Sequence, residues 1–312
     1  MNDIKGISIT LLSPMQNHTA NGGEKLLGNA SSVKRRPDGR VYISGQMQRH
    51  ALFSAIERLN LESEGRGNTY VSNGDGVTNQ VEKDLRADMG GFMHPSQGSY
   101  SGRRTAPVSA SFAVATEESE VGRDLLIRIK QDTNEESDQK QALATNEFSQ
   151  DDEMQMSFHL DVAALSVSKR FSYEDTHHVG TEFVPHVDAE ERLRRAKLFV
   201  EGTRYLTDYA NQARNATTGE PRQALIVLDT RLSRKASRYF EMTEAEQENL
   251  MRELDARGAE VFLGDDTTTD GMSVHDAYEA AQDTVESLYD PTEEGAEPVP
   301  FESFAETADA SA

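Results

Sequence analysis

The elements legible in the sequence run strand, helix, two strands broken by insertions, helix and strand. That order predicts an α+β fold, a ferredoxin-like β-α-β-β-α-β sheet of the kind shared by RRM-type domains. Three observations carry it. Ile7, Ile9 and Leu11 alternate with polar neighbours over residues 4–12, the period-two pattern of a half-buried strand. Two long amphipathic stretches, 44–60 and 192–209, are each followed by further strand signals. Between them lie two segments, 61–105 and 117–147, that are too polar to hold a core of their own.

Ser13 and Pro14 close the first strand. Residues 15–40 form a long loop rich in Asn, Gly and Ser, with a turn at Pro37, Asp38 and Gly39. Loops of this length are uncommon in compact domains and are often functional. Val41, Tyr42 and Ile43 make a short strand, and Ser44 can cap a helix running to about residue 60. At roughly 100° per residue, Met47, Ala51, Leu52, Ala55, Ile56 and Leu59 fall on one half of that helix. Gln46, Arg49, His50 and Phe53 gather on the other. Gln46 and Arg49 lie one turn apart near the N-terminal end, where free N–H groups and the dipole favour an anion. An ordinary amphipathic surface helix would look much the same, although Phe53 on its polar face counts against that.

Residues 61–105 include the Gly/Asn-rich string EGRGNTYVSNGDG and a short helical stretch at 81–89, as expected of an insertion. Residues 106–115 are strand-like. Residues 117–147 hold one apolar run, 125–129, between very polar flanks, and predict a protruding β-ribbon. A strand over 156–165 precedes the second helix, whose Leu193, Ala196, Leu198, Val200 and Leu206 point inward. Residues 224–228 form a continuous apolar strand. Thr243 and Glu246 make a capping box opening a helix to about residue 257, and 261–263 is a short strand. An acidic helix is expected after residue 265, and residues 290–312 read as a disordered tail. No internal repeat is visible.

Charge is unevenly spread. The 312-residue chain carries 54 Asp and Glu against 32 Lys and Arg, and no cysteine. Disulfides, cysteine zinc sites and thiol chemistry are therefore excluded. Residues 1–60 hold eight Lys/Arg against four acids, a net of +4; after Arg257 there are fifteen acids and no Lys or Arg. An acidic tail of this kind is ordinary for a surface kept hydrated in a salty cytoplasm; shielding of a basic face by nucleic-acid mimicry is the sharper alternative. No run of 18 apolar residues exists and the N-terminus lacks a signal-peptide pattern, so a cytoplasmic protein is expected, with no membrane contact.

Enzyme motifs do not assemble. Gly22, Gly23, Glu24, Lys25 and Gly28 lack the spacing of a phosphate loop. His177, His178 and His186 sit in a polar stretch and are expected to be unligated surface histidines. No elbow frames a nucleophilic serine. The expectation is a non-enzyme without metal or cofactor. Three basic spots remain. Arg192, Arg194, Arg195 and Lys197, beside Glu190 and Glu191, are expected to form solvated ion pairs; Arg103 and Arg104 precede a strand. Lys34, Arg35, Arg36 and Arg40, beside Ser44, Gln46 and Arg49, form the credible phosphate site.

The string GNASSVKRRPDGRVYISGQMQRHAL resembles the N-terminal signature of the DevR-type CRISPR-associated autoregulator family, the repeated backbone subunits of type I Cascade complexes. The likeness continues through DLRADMGGFM (84–93), GRRTAPVSASFAVA (102–115), TNEFS (145–149) and MQMSFHLDVAAL (154–165), covering about residues 4–230. It implies an RRM-like palm (1–60, 106–115 and 148–265), a helical finger insertion (61–105), a thumb ribbon (116–147) and an acidic C-terminal helix with a disordered tail (266–312). Copies would polymerise along a CRISPR RNA, with other Cascade subunits and, through the guide, target DNA as further partners. The implied RNA-binding residues are Asn29, Lys34, Arg35, Arg36, Arg40, Ser44, Gln46, Arg49, His50, Phe53, Arg103 and Arg104. RNA-cleaving type III relatives carry an Asp in this loop, and the matching position falls near Ala30, so no nuclease activity is expected. A metal-dependent ribonuclease using Glu24 or Asp38 and a DNA-binding autoregulator stand as alternatives. The second lacks a helix-turn-helix.

Overall fold

The computed structural model describes residues 3–22, 24–25, 30–73, 78–93, 103–129 and 141–309. Along the chain come β1 (Gly6–His18), β2 (Glu24–Lys25), β3 (Ala30–Ser32), β4 (Tyr42–Ile43) and α1 (Gly45–Glu62). The first insertion contributes α2 (Leu85–Gly90), β5 (Phe92–Met93) and β6 (Arg103–Arg104). Then follow β7 (Val108–Ala110), β8 (Ala113–Ala115), β9 (Val121–Ile129), β10 (Gln141–Asp161), β11 (Val167–Glu174) and β12 (His177–Pro185). The remainder is α3 (Ala189–Gly202), β13 (Gln223–Asp229), α4 (Glu244–Ala256), β14 (Glu260–Asp265), α5 (Val274–Thr284) and α6 (Phe301–Asp309).

The main sheet is organised on β1 and β10. β1 lies between β13 and β10, antiparallel to both, and β14 extends the β13 edge. On its other edge β10 takes β7 and β8. Ile7 sits opposite Leu160 and Leu228, and Ile9 opposite Phe158 and Ile226. These residues face one side because the strand period is two, and α1, α3 and α5 cover them. α1 follows β1, and α3 lies between β10 and β13, so the predicted element order is observed in an α+β chain with an antiparallel sheet.

The opposite face is partly closed too. Leu225 and Val227 of β13 bury against Ala236, Tyr239, Leu250 and Leu254, from α4 and the 3-10 turn Lys235–Glu241. Thr10 Oγ1 donates to Ala236 O at 3.1 Å, and Ser8 bonds His159 Nδ1 at 2.8 Å beneath this cover. The capping box at Thr243 forms as expected.

Two ribbons leave the sheet. The N-terminal half of β10 runs beyond β1 and pairs with β9, from Gln141 opposite Ile129 to Ser149 opposite Val121. β11 and β12 form a separate hairpin, which the sequence did not signal. Its Phe171, Tyr173 and Val179 are exposed, so neither face shows the alternation of a half-buried strand.

The C-terminal tail departs from its expected disorder. Residues 301–309 form α6, whose Phe301 and Phe304 bury with Val81 and Val184. His186 lies edge-on to Phe304 and donates through Nδ1 to Val299 O at 2.6 Å. Two aromatics four helical positions or fewer apart supply enough apolar surface to dock a short acidic helix. His186 is therefore a buried histidine and not a surface one. Burial, offset in part by the Val299 bond, depresses its pKa to about 4.

Candidate nucleic-acid interface

The basic loop is built as a tight hairpin. Arg36 N donates to Arg40 O, Gly39 N to Arg36 O, and Tyr42 N to Lys34 O. Asn21 Nδ2 donates to Lys34 O at 3.1 Å and to Tyr42 O at 3.2 Å, tying the loop to the strand that enters α1. Buried Val33 and Val41 anchor it, and Arg36 points out exposed. The side chains of Lys34 and Arg36 make no hydrogen bond or ion pair among the described residues, although the Arg36 charge is felt by Asp38. Arg35 lies 3.8 Å from buried Glu147, a carboxylate that Arg123 also holds at 2.9 Å. Arg40 pairs with Asp38 at 2.8 Å, which diverts it from an incoming phosphate.

Ser44 is the N-cap of α1 and accepts from Met47 N at 3.3 Å, so its hydroxyl oxygen is already engaged. The helix start abuts the β7–β8 turn. A Cβ at Gly45 would sit 2.8 Å from Ala110 O, so only glycine allows this approach. In that turn the exposed Phe112 ring stacks on Tyr42, 5.5 Å between centroids and 11° between planes.

Gln46, Arg49, His50 and Phe53 line one open cleft of about 760 Å³, together with Arg86, Gly90 and Gly91 of the insertion. The side chains that the helical wheel grouped thus share one cleft. The wheel misjudged Phe53, whose ring is only 2% exposed and part of the main core cluster. Phe53 forms the cleft floor, and cations cover it: Arg49 stands 5.8 Å and Arg86 5.1 Å from its centroid. Arg49 Nη2 donates to Gly90 O at 2.5 Å. Burial, and then the neighbouring Arg86 charge, push the Arg49 pKa down. His50 meets Asp208 at 3.1 Å on the outer edge.

Other assignments change. Arg104, expected at an RNA face, is 7% exposed and points into the protein. It pairs with Asp88 and donates to the carbonyls of Asp88, Ala164 and Val167. Its charge stays inside because every neighbour offers an acceptor. Arg195 and Arg192, expected as solvated pairs, are also buried. Arg195 reaches Asp88 at 2.7 Å and Glu191 at 2.8 Å, and Arg192 donates to Leu165 O and Val162 O. Two guanidiniums outweigh the cost of burying Asp88 and hold its carboxyl below the usual range. Asn29 lies outside the described residues, as does the Arg103 side chain.

Sequence reasoning missed Arg86 and Phe112. Arg86 belongs to the DLRADMGGFM string, yet only the fold of the insertion carries it to α1. Phe112 is one aromatic in a strand-like run, and its exposure depends on the turn. Among the described residues no group of His, Asp and Glu is placed to hold a metal, and no helix is long and apolar enough to cross a membrane.

The fold, the basic loop and the cleft of α1 define an α+β protein with a cationic edge on an acidic body. The family of CRISPR-associated negative auto-regulators DevR/Csa2 matches residues 18–227, and the chain belongs to it. Two solved structures are similar in fold. A chain of a CRISPR RNA-guided surveillance complex aligns at TM-score 0.52 and 15% identity, covering 97% of this chain and 99% of that one. A chain of a CRISPR RNA-guided surveillance complex, pre-nicking, aligns at TM-score 0.55 and 12% identity with the same coverage. No curated protein matches in sequence.

Proposed function

We propose that this chain is an RNA-binding backbone subunit of a CRISPR surveillance complex of the type I-A or I-B kind. It grips the CRISPR RNA by its phosphates and presents the guide for pairing with target DNA. The observation that carries the reading is the joining of the loop and the cleft. Asn21 bridges Lys34 O and Tyr42 O, so the exposed basic loop is tied to the strand that leads into α1, and the two together make a cationic rim.

In this reading the main sheet with α1 and α3 is a ferredoxin-like palm. The insertion bearing α2 is the finger and the β9–β10 ribbon the thumb. The sheet face that RRM domains use for base stacking is partly covered here by α4 and the 3-10 turn, which favours binding at the rim. Phe112 on Tyr42 offers an exposed aromatic plane there, useful to any base. Several copies along one guide would let an acidic chain bind RNA through a few contacts each.

The reading includes no cleavage step. Near the position where RNA-cleaving relatives carry an aspartate stand Ala30 and Ser31, and Ser31 Oγ donates to Asn146 Oδ1 at 2.7 Å. The test is the double substitution Arg35→Ala with Arg36→Ala. It should weaken binding by a similar factor for guides of unrelated spacer sequence and flatten the salt dependence by about two contacts. A loss confined to some spacers would count against phosphate-directed binding.

A further inference from the structure

Arg49 and Arg86 flank the same Phe53 ring, an arrangement that two like charges adopt only at a cost. Neither guanidinium has an ion-pair partner among the described residues. Both Nε atoms are buried without a hydrogen-bond partner. Arg49 spends Nη2 on Gly90 O, and the Arg86 guanidinium has no hydrogen-bond acceptor among the described residues. The nearest carboxylates do not take this role. Asp84 caps α2, its Oδ1 accepting from Arg86 N and Ser72 N; its charge and then that of Glu57 favour the Arg86 guanidinium, but neither carboxylate forms an ion pair or a side-chain hydrogen bond with it among the described residues.

The surroundings preserve this state. Gly90 gives both groups room, since a Cβ there would lie 3.2 Å from Arg49 Nη2 and 3.3 Å from the Phe53 ring, closer than an ordinary contact. The Phe53 ring lies within cation–π reach of both guanidiniums, and Gln46 adds an amide to the cleft lining. A phosphate group supplies what is missing. It brings negative charge between the two cations and several acceptor oxygens for planar N–H forks.

We propose that Arg49 and Arg86 form a two-pronged pocket for one phosphate group of the bound RNA, with α1 giving one prong and the insertion the other. Arg86 is then a direct RNA contact, and docking of the insertion completes the site. This rests on the RNA-binding reading above. A free nucleotide or inorganic phosphate offers the same chemistry, so the test separates the sources.

Thermal unfolding of the full chain is followed in sodium phosphate and in sodium chloride of equal ionic strength, alongside binding of mixed-sequence single-stranded RNA. Arg86→Gln and Arg86→Lys are compared with Arg238→Gln, a distant exposed control. Phosphate should raise the melting temperature of the parent and of the control but not of Arg86→Gln. RNA affinity should fall roughly tenfold in Arg86→Gln, the loss of one charge-assisted hydrogen bond, and recover in part in Arg86→Lys. Retention of the phosphate response by Arg86→Gln overturns the pocket. Loss of that response with unchanged RNA affinity overturns the RNA phosphate as its occupant. If the parent binds no RNA while its phosphate response still follows Arg86, the pocket stands and the RNA-binding reading fails.

Discussion

Asp88 of α2 accepts a hydrogen bond from Arg195 of α3 at 2.7 Å, with both side chains fully enclosed. Ser166 adds its backbone N–H and its hydroxyl to the same carboxylate. This one group locks the insertion to the main body. Asp88→Ala leaves buried Arg104 without its carboxylate and Arg195 with Glu191 alone, and stability should fall by about 3–5 kcal/mol. Urea unfolding measures it; a change below about 1 kcal/mol would mean that water reaches the cluster.

Arg104 and Arg36 should separate stability from binding. Arg104 is buried on Asp88, whereas Arg36 is exposed on the loop. Arg104→Ala should lower the unfolding free energy by several kcal/mol and leave the salt slope of RNA binding unchanged in the folded fraction. Arg36→Ala should leave stability within about 0.5 kcal/mol and reduce that slope by about one. Filter binding across a salt series, paired with thermal melts, reads both.

His186 makes stability fall on acidification. Its folded pKa is about 4 against 6.5 ordinarily, because burial disfavours the charged form. Between these values the unfolded chain holds a proton that the folded chain does not. The contribution is therefore complete above pH 6.5 and is lost as pH falls toward 4. The loss amounts to at most about 3 kcal/mol for this group. His159, also held near 4 by burial and then Arg234, adds in the same window. His186→Gln should show a shallower decline of unfolding free energy from pH 6.5 to 4; an identical slope would contradict the assignment.

Phe301 tests the docked tail. It is 1% exposed and packs edge-on against Phe92 at 5.1 Å. Phe301→Ala should cost about 3 kcal/mol or more and make the chain after Pro300 sensitive to limited proteolysis. A tail that is loose in solution would show neither effect.

Much of the body was legible because its residues obey simple periods. Ile7, Ile9 and Leu11 alternate into one face, and Thr243 and Glu246 cap a helix by local chemistry alone. Side chains whose surroundings come from distant chain were not. Arg195 and Arg104 read as surface charges because Asp88 and the carbonyls around them are assembled by tertiary contacts. Phe53 sits among polar neighbours in its own helix, and its burial depends on the packing around α1. Arg86 gains meaning only when the insertion folds against α1. The β11–β12 hairpin stayed hidden because its aromatic residues face outward. Phe301 and Phe304 were masked by an acidic composition that suits disorder on average but ignores two well-placed rings.

The central claim is that the cationic rim from Lys34 to Arg49 holds a guide RNA without regard to its spacer. Its most direct test is purification of the chain, co-expressed with its neighbouring genes and a CRISPR array, followed by sequencing of whatever nucleic acid accompanies it. Small RNAs of uniform length, flanked by repeat sequence and carrying every spacer of the array, are the predicted result. Recovery of the complex free of such RNA, or with RNA from one spacer only, would contradict it.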